Sequence, residues 1–317
     1  MSDYKEVVGT GILNYAGDVP NVLEGQLWYN STAKDFRVSE GPTAFAWATV
    51  SNLNTARNAI GSAGISTAAL AFGGATGVEP YLGNVTELWN GSNWTELNNL
   101  NTARALFNAS AGTSTSALGF GGEPPSAKTE KWNGTNWTEV NDLNQARRRA
   151  AGAGASNTAA LVFGGYIPPD SALTETWNGT NWTEVNDLNT ARRSSAGVGT
   201  NTAALVIGGE EGRTGKTEVW NGTNWTEVND LNTARNDLGS SSQSYTAALA
   251  FGGDPNRALT ESWNGTNWTE VADLNTAGYR MSGAGANNTA ALAFGGTNRT
   301  ASTEQWSETG GIKTITS

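Results

Sequence analysis

The pair Gly-Gly recurs periodically, starting at Gly73, Gly121, Gly164, Gly208, Gly252 and Gly295, at intervals of 43 to 48 residues. A fixed period of this length limits the chain to stacked or ring-closed copies of one small supersecondary unit. One such unit cannot bury its own apolar face, but neighbouring copies can cover each other. A Thr-Glu-x-Trp follows each pair, ending at Trp89, Trp132, Trp177, Trp220, Trp263 and Trp306. The string NGTNWTEV then occurs at Asn133, Asn178, Asn221 and Asn264, with the near copy NGSNWTEL at Asn90. Leu-Asn-x-Ala opens a repeat at Leu53, Leu100, Leu143, Leu188, Leu231 and Leu274.

Each repeat carries four strand signals. In the fourth they are a small-residue run over Arg192 to Val198, an unbroken apolar run over Ala203 to Ile207, Thr217 to Trp220, and Trp225 to Val228. Five or so consecutive apolar residues fit a strand covered on both faces. The Asn-Gly between the last two is a hairpin-turn signal, and it sets Trp220 opposite Trp225 on one face. Four strands in about 44 residues is the size of one propeller blade.

The ends of the array fit together. The sixth repeat stops after Trp306 without an NGTNWTEV, while an orphan AFAWATVSNLNTAR, Ala44 to Arg57, precedes the first. Trp47 stands six residues before Leu53, as Trp94 does before Leu100. The orphan therefore supplies the missing fourth strand, which leaves no unpaired sheet edge at the seam. The expectation is an all-β fold: a six-bladed propeller whose last blade is completed by an N-terminal strand.

Composition narrows the chemistry. The chain has 317 residues, no histidine and no cysteine. This removes histidine-based acid–base catalysis, Ser-His-Asp and Cys-His nucleophiles, disulfides and nearly all transition-metal sites. Lys plus Arg is 19 against 29 Asp plus Glu, a net charge of −10, which argues against nucleic acid or an anionic membrane as main partner. No apolar run approaches the ~20 residues of a membrane helix. The opening MSDYKEVVGT lacks the basic and apolar regions of a secretory signal peptide, so export by the ordinary secretory route is not expected.

The order of arginine, small residues, apolar strand, Gly-Gly, aromatic and tryptophan resembles the kelch repeat of kelch-type β-propellers, from Ala44 to about Trp306. The first aromatic is Trp here where that family usually has Tyr. Kelch propellers include recognition modules and a copper oxidase; the oxidase's chemistry needs His and Cys that this chain lacks, so the resemblance implies a fold and no single function. Residues 1–43 are different. The stretch VGTGILNYAGDVPNVLEGQLWYN resembles N-terminal segments of bacteriophage virion and tail-fibre proteins, and EGQLWYNSTAKDFRV, Glu24 to Val38, reads as strand, turn, strand.

Several repeated residues admit a binding role and a packing role. The paired tryptophans are either sugar-stacking platforms or contacts between blades, and their fixed place in every copy favours packing. The Gly-Gly pairs either line a channel or permit positive φ after the second strand, and the second is the common use. Arg57, Arg104, Arg147, Arg192 and Arg235 recur, with Gly278 at the sixth position and Arg280 two residues later. Glu87, Glu130, Glu175, Glu218, Glu261 and Glu304 form a second set. An arginine ring would suit an anion or acidic peptide, whereas one ordering ion pair per blade is the simpler role. Near-identical copies argue against a glycosidase-type carboxylate pair, which needs particular residues in particular places. The Asn-x-Ser/Thr sequons, among them Asn30, Asn84, Asn133 and Asn298, are expected by chance in an Asn- and Thr-rich chain, and Arg147 to Arg149 reads as a solvated strand edge.

The copies differ most between their second and third strands, and variable loops on a rigid scaffold are where recognition usually sits. Tyr81, Tyr166, Ile167, Arg213, Arg257 and Arg299 are the candidate binding-face residues. Leu27, Trp28, Tyr29 and Phe36 are the candidates for assembly through the N-terminal arm. The expected organisation is an arm over residues 1–43, containing a short β-hairpin, and a propeller over 44–317. The expected function is that of a non-enzymatic structural and recognition subunit of a phage tail fibre or other extracellular filament. It would be located in the virion or appendage, assembling with copies of itself or with other subunits. The alternative is a monomeric lectin or adhesin that binds surface glycans or a cell-surface receptor. Neither reading requires a cofactor, a metal, nucleic acid or membrane insertion.

Overall fold

The computed structural model describes residues 13–17, 26–39, 44–77, 79, 81–106, 108–210, 212–241, 243–309 and 312–315. These residues form strands and turns, with no helix among them. The chain divides into two compact units. One holds the residues up to Ala46 together with those from Glu308; the other is Trp47–Ser307.

The larger unit is built from six four-stranded sheets, one per repeat. In the first five, the four strands follow one another in sequence and every neighbouring pair is antiparallel. The sixth takes three strands from Ser282–Asn287, Ala290–Phe294 and Thr303–Thr309, and its fourth is Ala44–Thr49. The orphan segment thus stands where the repeat arithmetic puts it. The Asn275 side chain donates to the Trp47 carbonyl at 2.9 Å, as Asn54 donates to that of Trp94 at 3.1 Å.

The fourth sheet is typical. Its strands are Ala196–Gly199, Ala204–Gly209, Thr214–Trp220 and Trp225–Val228. Its first strand begins four residues later than the sequence pattern predicts. Arg192 is drawn inside by its buried partner, and Ser194 adopts a positive φ of 55°, so the chain turns before it can pair. The Gly-Gly pair closes the second strand. Gly208 has φ 60°, and a Cβ there would lie 2.5 Å from the Arg235 carbonyl oxygen, so the backbones approach too closely for any side chain. The turn between the last two strands is held by Asn221, whose Oδ1 accepts from the amides of Thr223 and Asn224, both at 2.9 Å.

The tryptophans hold sheet to sheet. Trp220 and Trp225 are register partners with ring centroids 5.4 Å apart. Trp220 donates to the Asn201 carbonyl at 3.1 Å within its own sheet. Trp225 reaches into the third sheet, where it packs edge-on against Phe163 and donates to Thr174 Oγ1 at 3.1 Å. The same step recurs from Trp137 to Phe72, Trp182 to Phe120 and Trp47 to Phe251, and Trp268 donates to Thr217 Oγ1. Trp94 of the first sheet packs on Phe294 of the sixth. Each sheet therefore rests on the preceding one, and the first rests on the sixth. At roughly 200 Å² per ring and about 25 cal/mol per Å², each buried tryptophan contributes on the order of 5 kcal/mol of gross transfer free energy. In the first five sheets the outermost strands are four residues long and carry exposed Thr and Glu, which blunts them against edge pairing.

The smaller unit is a four-stranded sheet. Leu27–Asn30 and Asp35–Ser39 form the expected hairpin, whose turn is closed by Asn30 Oδ1 accepting from the amides of Thr32 and Ala33. Leu13–Tyr15 pairs parallel to Leu27–Asn30, and Ile312–Ile315 pairs antiparallel to Asp35–Ser39. The boundary expected at residues 43 and 44 is corrected accordingly, because the C-terminal strand belongs to the N-terminal sheet. A two-stranded hairpin is marginal alone, and the flanking strands satisfy the amide and carbonyl groups along its edges. Residues 1–12, 18–25 and 40–43 of the expected arm lie outside the described residues.

Candidate functional site

The repeated polar residues form one internal network per repeat. In the first, Arg57 Nη1 donates to the carbonyls of Gly73 (3.0 Å) and Val85 (2.5 Å). Its Nη2 donates to the Ala71 carbonyl (3.4 Å) and Glu87 Oε1 (2.9 Å). Glu87 also accepts from the Asn54 amide (2.7 Å), Asn54 Nδ2 (2.9 Å) and the Thr55 amide (3.3 Å). Both side chains are fully buried. Equivalent ion pairs join Arg104 to Glu130, Arg147 to Glu175, Arg192 to Glu218 and Arg235 to Glu261. Burial pushes the Arg57 guanidinium down to about 10, opposed by the charge of Glu87. Burial likewise lowers Arg147, Arg192 and Arg235. These arginines tie the entry loop of each repeat to its second and third strands.

The sequence differences gather elsewhere. The residue after each repeated arginine pairs, as an isolated antiparallel bridge, with the residue after each Gly-Gly. The pairs are Asn58 with Ala75, Ala105 with Glu123, Arg148 with Tyr166, Arg193 with Glu210 and Asn236 with Asp254. In the sixth repeat the Tyr279 amide donates to Thr297 Oγ1 at 2.7 Å. Around these bridges run hydrogen bonds from repeat to repeat: Ala59 N to Arg280 O, Arg280 N to Asp237 O, Asp237 N to Ser194 O, and Ser194 N to Arg149 O. The donors and acceptors in this chain all have positive φ. The result is a crown in which one backbone place carries Asn, Ala, Arg or Tyr and its bridge partner Ala, Glu, Tyr, Asp or Thr, depending on the repeat.

The crown's charges are interlocked. The Tyr166 ring lies between the guanidiniums of Arg148 and Arg193, at 4.9 and 4.8 Å from its centroid. Arg148 pairs with Glu123 at 2.5 Å. Arg193 pairs with Asp170 at 2.6 Å and Glu210 at 2.9 Å. Arg280 pairs with Asp237 at 3.2 Å, and Arg213 with Asp254 at 2.8 Å. The hydrogen bond between Arg193 and Glu210 raises the arginine and lowers the carboxyl from their ordinary values. Arg148, Arg149, Tyr166 and Arg193 line a concavity of about 170 Å³.

Of the six candidates expected on this face, Tyr166 is the centre of the arginine sandwich and Arg213 joins the charge network. Tyr81 is 55% exposed. Arg299 is exposed, while Ile167 and Arg257 are half-buried. Arg148, Arg193 and Arg280 are additional crown residues; their signal in the sequence is divergence next to a strictly repeated arginine or glycine. On the smaller sheet, Leu27 and Phe36 are exposed and Tyr29 is half-buried, its ring 5.2 Å from that of Phe36. Trp28 is fully buried, so it is a core residue and not a contact residue as expected. Strand alternation places it on the face opposite Leu27 and Tyr29.

The first strands of the six sheets enclose about 50 Å³, lined mainly by Gly, Ala and Ser. At roughly 30 Å³ per water this holds a water or two and no sugar ring. The Gly-Gly pairs do not line this space; a Cβ on Gly73 or Gly164 would lie 2.7 or 2.5 Å from an arginine carbonyl oxygen of the next repeat, so these glycines serve close packing of backbones. No protein-family model and no curated protein matches the chain.

Proposed function

We propose that the larger unit is a six-bladed β-propeller of kelch type that displays the crown as a recognition face, and that the smaller sheet attaches it to an assembly. The observation that carries this reading is the placement of the sequence differences. Repeats that share NGTNWTEV to the letter diverge at the paired bridge positions, all on the side of the second-to-third-strand loops. Variable positions gathered on one side of a rigid scaffold are where recognition usually sits. The contact of the first sheet with the sixth supports ring closure.

The protein binds and does not catalyse. The repeated glutamates, its only periodic carboxylates inside the fold, each accept several backbone or side-chain hydrogen bonds. A glutamate so engaged is not poised to hand a proton to a substrate. The resemblance of the N-terminal segment to virion proteins supports reading the assembly as a phage tail fibre or a related extracellular filament. Among the described residues, Leu27 and Phe36 are exposed apolar residues of the attachment sheet, as is Tyr15.

Negative-stain electron microscopy of the full-length protein, with light scattering for mass, tests the reading. Filaments or defined multimers are expected, and Leu27→Asp with Phe36→Asp should disperse them while leaving the far-ultraviolet circular dichroism unchanged. Particles of one-chain mass at every concentration would refute assembly through this sheet and favour a monomeric glycan- or protein-binding propeller.

A further inference from the structure

The sixth repeat breaks the internal network in one place. Where the others carry arginine it has Gly278, yet it keeps the glutamate, Glu304, only 2% exposed. Strand register makes Ala293, Gly295, Ser302 and Glu304 the counterparts of Ala71, Gly73, Val85 and Glu87, which are the four residues that accept from the Arg57 guanidinium. All four line a single cavity of about 170 Å³. Its other end is bounded by Asn256, Thr297 and Asn298, of which both asparagines are exposed, so it opens on the crown side.

Glu304 is held by three neutral donors: the Asn275 amide at 2.8 Å, Asn275 Nδ2 at 3.0 Å and the Thr276 amide at 3.0 Å. Among the described residues no lysine or arginine forms an ion pair with it. Arg280, two residues after Gly278, is turned to Asp237 instead. A buried carboxylate without a cation draws one strongly. By register the Ala293, Gly295 and Ser302 carbonyls and the Glu304 carboxylate repeat the acceptor set that receives the Arg57 guanidinium, and such a set suits a planar guanidinium with several donors better than a compact ammonium.

We infer that this cavity is a binding site for a guanidinium group brought from outside, either on a free small molecule or on an arginine side chain of another chain. The bound group takes the place that the chain's own arginine takes in the other five repeats. The site is built wholly from residues of the larger unit, and its test does not depend on whether the protein assembles.

The experiment is calorimetric titration of the full-length protein with agmatine and with a capped Gly-Arg-Gly peptide, using cadaverine as the ammonium control. Saturable one-site binding of agmatine is expected, at least tenfold tighter than cadaverine and weakened by salt. Binding of the peptide as well assigns the site to an arginine side chain; binding of agmatine alone assigns it to a free guanidinium compound. Gly278→Arg should abolish the binding. Gly278 lacks a positive φ, and an added Cβ would meet the flexible end of Met281, at 3.3 Å from Cε and 3.5 Å from Sδ, and Thr297 Oγ1 at an ordinary contact distance of 3.6 Å. Gly278→Met fills the slot without charge and should also abolish it. Glu304→Gln should weaken it at least tenfold. No saturable binding, or equal binding to wild type and both Gly278 variants, overturns the inference.

Discussion

Breaking the Arg57–Glu87 pair from either side should give unequal losses. In Arg57→Met, Glu87 keeps its three other donors, two from Asn54 and one from Thr55. The group left bare is the carbonyl of Gly73, since that of Val85 keeps the Gly73 amide at 3.0 Å and the Ala71 contact at 3.4 Å is long. One buried acceptor at roughly 1–3 kcal/mol gives a loss of about 2 kcal/mol. In Glu87→Leu, four donors lose their acceptor and one of them is a buried guanidinium. Burial already presses Arg57 down to about 10 with Glu87 present, so without it the charge is unsupported. The loss should exceed about 5 kcal/mol, beyond the usual range for one broken buried pair. The double variant should cost less than the sum, because no lone cation stays inside. Urea unfolding followed by tryptophan fluorescence and by circular dichroism measures all three, with coincident curves required before free energies are compared. Equal losses for the two single variants, or a larger one for Arg57→Met, would refute the hydrogen-bond count as the source of the asymmetry.

Trp182→Phe removes a buried donor to Thr129 Oγ1 at 3.0 Å, and a double-mutant cycle with Thr129→Val should show a coupling of about 1 kcal/mol between neighbouring sheets. Gly164→Ala places a Cβ 2.5 Å from the Arg192 carbonyl oxygen at φ 64°, and should lower the unfolding midpoint by the equivalent of roughly 2–3 kcal/mol. Gly212→Ala, at φ 70° with open space around it, should cost about 1 kcal/mol, which separates backbone strain from collision. The Glu210 carboxyl is held below its unfolded value by Arg193, so its contribution is complete above the ordinary carboxylate range and is lost as pH falls through it. Glu210→Gln should therefore flatten the acid limb of a stability–pH curve and leave the curve at neutral pH parallel to that of the wild type.

Most of the sheet architecture was legible in the sequence because the repeat states it many times. The apolar run of Ala203 to Ile207, the Asn-Gly turn and the spacing of Trp220 and Trp225 each follow from local periodicity and turn chemistry. Trp47 could be matched to Trp306 by counting alone, although 259 residues separate them in the chain. The C-terminal strand Ile312–Ile315 escaped this reading because it belongs to no repeat and pairs with Asp35–Ser39, a partner that only long-range contact selects. The buried state of Trp28 escaped for a related reason, since the alternation of Leu-Trp-Tyr-Asn says which residues share a face and not which face is covered.

The sequence by itself determined that the chain builds the same four strands again and again, and that Gly278 interrupts a series of arginines. Only the tertiary structure decided what that interruption means. Arg280, two residues on, was the natural substitute in one dimension. Its positive φ of 55° carries it into the crown, where it pairs with Asp237 and leaves Glu304 facing an open slot. Side-chain direction after such a turn depends on backbone dihedrals and on the neighbouring repeat. Neither is written in the spacing of residues along one copy.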